Sequence, residues 1–418
     1  METSRKLPSA DSQLTQRLLL EFDSMWESVS KQTDYWSRFN KPVSIQSYVD
    51  FVQIPELSKQ CLKRCTESFV NKNIKLKGLI STGGSTGAPL KMPIGAGYSQ
   101  RVKRQQALGR AQYGVKYRDK CFLIWGHSAA ATLGFRRIYA RYTRWIKDRL
   151  IGYCRISAYE LGCDKLQAAL NSFLQFRPEW VYGYSSALVA FARANWACRG
   201  QIQRMNIKAV ICSAETIQQD EVAELGRFFG APVGIEYGAM EFGPIAYTRP
   251  RKKGFHIMDD LLVEAIRTDR ENTYRLLVTS LYQRLVPLIR YDIGDEVKIY
   301  DSAFDGGIIT YFDEIIGRRN DVIEFSDGSF AHSESVTHAI KDEVAVLVFQ
   351  FHKWKNAMQL KLVVRPDADR SRVTSSISSK LRNINDRFSG VEIEYVEDVD
   401  VTQAGKRKWI IVHDQCKA

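Results

Sequence analysis

The sequence predicts an α/β protein: a large layered N-terminal domain that includes a β-rich subdomain, and a small α+β domain at the C-terminal end. Three observations predict it. Short apolar runs at 121–125, 209–212 and 233–236 alternate with stretches of helical period, the pattern of a largely parallel sheet covered by helices. From about 258 to 312 strand-like segments follow one another without helices between them. The charged, turn-like break Gly317-Arg318-Arg319-Asn320-Asp321 then precedes a tail of domain size in which strands and helices mix. The domains are therefore expected at 1–316 and 317–418.

In chain order, 12–31 reads as a helix with Leu14, Leu18, Phe22, Met25 and Trp26 near one face. Leu76, Leu79 and Ile80 mark a strand that runs into the loop Ser81-Thr82-Gly83-Gly84-Ser85-Thr86-Gly87-Ala88-Pro89. A polar-faced helix follows at 100–113, then the buried strand 121–125 and the turn Gly126-His127-Ser128. Helices are expected at 166–174 and 187–196. Strand 209–212 leads to Ser213-Ala214-Glu215, and strand 233–236 leads from Glu236 into Tyr237-Gly238. The β-rich part holds strands at 261–266, 274–279, 296–300 and 307–312. Beyond the break come strands at 322–325, 344–352, 359–364, 391–395 and 409–413, with helices at 333–341 and 370–385. Open α/β sheets bind ligands at the carboxyl ends of their strands, where these polar turns fall.

The 418 residues exceed one ordinary domain, and 44% hydrophobic with 26% charged residues describes a soluble globular protein. The first residues lack the apolar centre of a signal peptide, and no uninterrupted apolar run is long enough for a membrane span, so a cytoplasmic location is expected. The eight cysteines are scattered; Cys61 and Cys65 lie one helical turn apart with no second pair nearby, and read as ordinary helix cysteines rather than a zinc site. A net charge of +13 favours anionic partners: nucleotides, an acidic carrier protein or an anionic membrane. Much of it gathers in Arg136, Arg137, Arg141, Arg144, Lys147 and Arg149, beside an apolar stripe of Ile138, Tyr142, Trp145 and Ile146. That stretch reads either as a helix with a solvated basic face or as one lying on a membrane surface. No nucleic-acid module accompanies the charge, so nucleic acid is not an expected partner.

The loop at 81–89 is rich in glycines and hydroxyls, which lets backbone N–H groups wrap a polyphosphate, and it lacks the Gly-Lys-Ser/Thr ending of a Walker A loop. Together with Tyr237-Gly238-Ala239-Met240-Glu241, Arg290-Tyr291-Asp292-Ile293-Gly294-Asp295, Gly317-Arg318-Arg319-Asn320-Asp321 and Thr402-Gln403-Ala404-Gly405-Lys406, in that order, it resembles the adenylate-forming (AMP-forming acyl ligase) superfamily. The branch it looks most like is that of phenylacetate–CoA ligase and its capsule-biosynthesis relatives. The resemblance covers about 75 to 410 and implies the fold of that superfamily, with a mobile C-terminal lid.

It further implies a set of roles. Thr82, Gly83, Gly84, Ser85, Thr86 and Gly87 would hold the β- and γ-phosphates of ATP. Ser213, Ala214 and Glu215 would border adenine, and Glu236, Tyr237 and Gly238 would also bind the nucleotide, with Tyr237 as the stacking face. Glu241 would ligate Mg²⁺, Asp295 would accept from both ribose hydroxyls, and Arg318, in the hinge, would face ribose or phosphate. Lys406 would enter from the lid to steady the α-phosphate, and His127 would orient the acid in a pocket walled by Trp125, Tyr182, Tyr184 and Tyr237. The chain departs from the family at Ala88, Met240 and Asn320. The implied activity is ATP-dependent activation of an aryl, arylacetic or acyl carboxylic acid, then transfer to CoA; an amine or a carrier-borne pantetheine is the other acceptor class, and a non-catalytic nucleotide-binding protein is the third reading.

Overall fold

The structure is a computed structural model. It describes the chain except residues 1–12, 39–43, 82–89, 126–142, 144–145, 159–162, 302–303, 305, 319–321, 326–329, 333–335, 338, 341–342, 401–408, 414–415 and 418. The chain forms two compact units, Met1–Gln112 with Ile235–Arg319, and Tyr113–Gly234 with Asn320–Ala418.

The first unit begins with the helix Gln13–Gln32, which buries Leu18, Leu19, Phe22, Met25, Trp26 and Val29. Phe22, Trp26, Trp36, Phe51 and Phe69 pack as a ring cluster under the short helices that follow. The strands Leu76–Ser81 and Lys91–Gly95 pair as an antiparallel ribbon whose Ser81 and Lys91 ends carry the glycine loop between them. The helix Tyr98–Ala111 packs on the strand Gly243–Arg249, and the approach is close: a Cβ on Gly109 would sit 2.3 Å from the Tyr247 ring. That strand lies antiparallel to both Val233–Ala239 and Lys252–Ile257. A second sheet is antiparallel throughout, in the order Gly307–Ile309, Leu261–Arg267, Thr273–Ser280, Tyr291–Lys298, Glu314–Arg318.

The second unit contains parallel strands in the order Val210–Ser213, Trp180–Tyr184, Cys121–Trp125, Tyr153–Ser157. Helices Cys163–Phe176, Ser185–Ala194 and Gln219–Phe229 bury Phe173, Phe191, Phe228 and Phe229 against Phe122 and Val181. Burial of strand residues on both faces is what parallel strands covered by helices require. In its C-terminal part, a four-stranded sheet runs in the order Val391–Tyr395, Met358–Val364, Val346–Lys353, Ile410–Val412. The helix Arg370–Ile384 covers it through Val373, Ile377 and Leu381. Leu347, Val348, Val363 and Val399 join the Phe122–Phe191 core, and Arg193 donates to the Val346 carbonyl (3.0 Å) while its fork grips Glu224 (3.0–3.1 Å).

The α/β class holds, with parallel pairing among the strands of 121–213 and again in the C-terminal sheet, where Val346–Lys353 runs parallel to Ile410–Val412 and Met358–Val364 to Val391–Tyr395. Strands without a counterpart in the sequence reading include Lys91–Gly95, Tyr153–Ser157, Trp180–Tyr184, Gly243–Arg249, Lys252–Ile257 and Glu314–Arg318. Each is interrupted by Gly, Pro or charged residues that weaken a local strand signal. The strand expected at 296–300 runs instead from Tyr291 to Lys298. Gly294, at φ +82°, lets the strand bulge, so the Asp-Ile-Gly-Asp string lies within a bulged strand. The 333–341 helix falls partly outside the described residues.

Candidate active site

Glu241 sits in the turn between Val233–Ala239 and Gly243–Arg249. That turn is held by its own carbonyls: the Tyr98 hydroxyl donates to Met240 O (2.6 Å), Arg284 to Glu241 O (2.7 Å) and Arg101 to Phe242 O. Arg101 is itself fixed by a two-point bond to Asp260 (2.6 and 2.8 Å). Burial above all pushes the Tyr98 phenol up to about 12, against the pull of Arg284, so Tyr98 remains a donor at neutral pH. The Glu241 carboxyl is 5 % exposed; Tyr291 donates to Oε1 (3.1 Å) and Lys59 Nζ lies 3.7 Å from the same oxygen.

Tyr291 belongs to the Arg290-to-Asp295 string, whose polar members hold the surrounding structure together. Arg290 forks onto the buried Glu264 (3.0 and 3.0 Å), donates to the carbonyls of Val52 (2.8 Å) and Ile54 (2.6 Å), and so anchors the short N-terminal helices to the sheet. Gly294 N–H closes an Asx turn on Asp292 (2.9 Å). Asp295 then stands in mid-strand, paired in register with Arg318, and its Oδ2 accepts from the Tyr237 hydroxyl at 2.8 Å. Tyr237 is 7 % exposed and meets Phe312 edge-on at 5.6 Å.

Tyr237, Glu241, Asp295 and the Arg318 backbone therefore belong to one unit, with the first and third in contact. Glu236 is in that unit too, but its carboxyl turns inward to the Tyr247 hydroxyl and to Arg110 (3.7 Å). Gly238 is required where it is: a Cβ there would sit 2.4 Å from the Gly243 carbonyl oxygen.

In the second unit Ser213 ends its strand and Ala214 takes a left-handed φ of +70°. This turns Glu215 so that Oε2 accepts the Ser186 N–H (3.0 Å) at the start of the helix Ser185–Ala194, while its carbonyl accepts from the Ser185 hydroxyl (3.0 Å). Trp125 stacks on Tyr182 at 5.1 Å and leans on Tyr184 at 4.4 Å, an aromatic wall at the strand ends. Thr82, Gly83, Gly84, Ser85, Thr86, Gly87, His127 and Lys406 lie outside the described residues.

Among the described residues no group of three or more His, Cys, Asp or Glu side chains could hold a metal. Mg²⁺ does not need such a group: it keeps several waters and takes one or two carboxylates beside substrate phosphates. A single carboxyl such as Glu241, with Oε1 engaged by Tyr291, fits that demand. Lys59, Tyr98, Arg101 and Arg284 build the Glu241 turn and had no motif to announce them; the spacing of Tyr98 and Arg101, one helical turn apart, is the one local signal.

No family model matches the chain. Protein CapK of Staphylococcus aureus is 22% identical over 403 residues, 93% of this chain and 87% of its own length. The crystal structure of 2-hydroxyisobutyryl-CoA ligase in the postadenylation state superposes with a TM-score of 0.71 at 14% identity, covering 97% of this chain and 90% of that one. The AtGH3.15 acyl acid amido synthetase does so with a TM-score of 0.56 at 13% identity, covering 92% and 87%. This chain has the fold of the adenylate-forming ligases. The likeness to CapK fits the capsule-type branch of that fold which the motifs resemble. Among the described residues no helix is long and apolar enough to cross a membrane.

Proposed function

We propose that the chain activates a carboxylic acid with ATP as an acyl-adenylate and passes the acyl group to CoA. The observation that carries this reading is the Tyr237–Asp295 hydrogen bond. It joins an aromatic side chain and a carboxylate from two separate motifs, as a site for the adenine and ribose of one nucleotide would need. The turn bearing Glu241 is fixed by three side chains and leaves a carboxyl beside the same strands, suited to Mg²⁺. When bound, Mg²⁺ would neutralise phosphate charge.

In this reading a carboxylate oxygen attacks the α-phosphorus, the bond to the bridging oxygen breaks, and pyrophosphate leaves. The Gly-rich loop from Thr82 to Gly87 receives the β- and γ-phosphates, and Lys406 offsets the charge that grows at the α-phosphate. In the second step the CoA thiol attacks the acyl carbon and AMP departs as the leaving group. Ser213 to Glu215 border the base, and His127 with the Trp125–Tyr182–Tyr184 wall receives the acid, for which an aryl, arylacetic or acyl group is suited. The domains 1–316 and 317–418 would turn about Gly317 to Asp321 between the two steps. An amine acceptor is the second reading, favoured by the likeness to the acyl acid amido synthetase.

An acid panel scored by pyrophosphate release, with CoA, with amines and with neither, tests both. CoA-stimulated release supports the first reading and amine-stimulated release the second. No release with any acid, joined to no affinity for ATP, would overturn both.

A further inference from the structure

In the second unit, the parallel strands Cys121–Trp125 and Tyr153–Ser157 start side by side, with Cys121 opposite Tyr153 and the Cys121 N–H on the Gly152 carbonyl (2.9 Å). The two segments that feed them meet at that end of the strands, the end away from the Ser213–Glu215 turn. A Cβ on Gly152 would lie 3.9 Å from the Arg118 carbonyl oxygen. Ahead of the first strand, Asp119 N–H on Lys116 O (3.1 Å) and Lys116 N–H on Asp119 Oδ2 (2.7 Å) close a turn that throws Tyr117 and Arg118 outward. Tyr117 is 93 % exposed. Ahead of the second strand, Ile151 N–H on Lys147 O (3.1 Å) and Gly152 N–H on Arg149 O (3.2 Å) end a helical turn. Ile146, Lys147, Arg149, Leu150 and Ile151 are exposed there, Leu150 by 82 %.

The acids of the same segments point the other way. Asp119 is buried against Lys208 (2.7 Å), and Asp148 is buried in a two-point bond to Arg155 (2.7 and 3.0 Å). The outward face of these two segments thus carries Lys116, Arg118, Lys147 and Arg149 around Tyr117, Leu150 and Ile151, and no acid. A nucleic acid would satisfy the cations and leave the apolar side chains in water. A bilayer satisfies both, since anionic headgroups meet the cations while apolar side chains enter the boundary below them.

We propose that this end of the second unit is a docking surface for an anionic membrane, independent of the ligase reading. Cosedimentation of the full chain with phosphatidylcholine vesicles, with or without phosphatidylglycerol, tests it. Binding is expected only to the phosphatidylglycerol vesicles, and is expected to weaken with added salt. The triple variant Lys116→Glu/Arg118→Glu/Lys147→Glu should lose roughly a hundredfold or more in partition, because each basic residue near the surface contributes about fivefold. Tyr117→Ser/Leu150→Ser/Ile151→Ser should lose roughly tenfold or more. All six positions are exposed, so both variants should keep the wild-type circular dichroism spectrum. Equal binding to neutral vesicles, or none to either, overturns the proposal. So does a serine variant that binds as tightly as wild type, because the surface would then read charge alone.

Discussion

Glu241 keeps its carboxyl buried with one tyrosine hydroxyl on Oε1 and a lysine 3.7 Å away. Removing a charge from water is costly, and this partnership offsets it only in part, so the site gives up stability for what the carboxyl does. Glu241→Gln preserves the shape and the Tyr291 bond while removing the charge. Unfolding free energy is expected to change by no more than about 1 kcal/mol. Acid-dependent pyrophosphate exchange is expected to fall about 10²–10³-fold. Denaturant titration beside the exchange assay checks this, and a variant that keeps full exchange removes Glu241 from the proposed chemistry. Glu241, Tyr237 and Asp295 were legible in the sequence because each belongs to a short string. Lys59, Tyr98 and Arg284 were not, because they reach the same turn from distant stretches, in two cases through a backbone carbonyl, and the one-turn spacing of Tyr98 and Arg101 does not say what the pair meets.

At the scale of elements, long periodic segments were legible: Gln13–Gln32, Cys121–Trp125, Arg370–Ile384 and Val391–Tyr395 fall where the hydrophobic pattern puts them. Strands such as Trp180–Tyr184 and Lys252–Ile257 were not, because their neighbours rather than their own residues make them strands. The helix Tyr98–Ala111 illustrates the same point. Propensity alone favours alanine over glycine in a helix by about 1 kcal/mol. Gly109→Ala is nevertheless expected to destabilise by about 1–3 kcal/mol, since the new methyl would press on the Tyr247 ring and loosen its bond to Glu236. Chemical denaturation decides between the two signs.

The C-terminal sheet holds a second such device. Gln350 donates to the Asp400 carbonyl (2.9 Å), which turns its Oε1 to the Nε2–H of His352, and His352 Nδ1 then accepts from His413 Nε2–H (3.0 Å). Burial, then Lys361 and His413, hold His352 down to about 4. A base with a lowered folded value binds fewer protons than the unfolded chain, so stability should fall as pH drops from about 6.5 towards 4, by up to about 3 kcal/mol. Denaturant midpoints across that range should slope accordingly, and His352→Gln should flatten the slope.

At the scale of the whole molecule, the α/β class was legible. The joining of 113–234 with 320–418 into one unit was not, because no sequence pattern announces a contact between segments so far apart. In the proposed reaction Lys406 serves the first half-step alone. Lys406→Ala is expected to abolish acyl-AMP formation and to spare transfer from supplied acyl-AMP, and equal loss in separate half-reaction assays would contradict that division. The last hundred or so residues, however, do more than bring a lysine. Leu347, Val348, Val363 and Val399 cover the Phe122–Phe191 core, and Arg193 holds the Val346 carbonyl. A protein cut back to 1–319 would therefore carry a wet, greasy scar and an arginine left with Glu224 but without the Val346 carbonyl. It is expected to leave solution as aggregate on size-exclusion chromatography, under conditions in which the full chain is expected to elute as a single peak. Any swing of the tail during turnover must either spare that seam or briefly open it, which makes the seam a natural brake on how fast the enzyme can cycle.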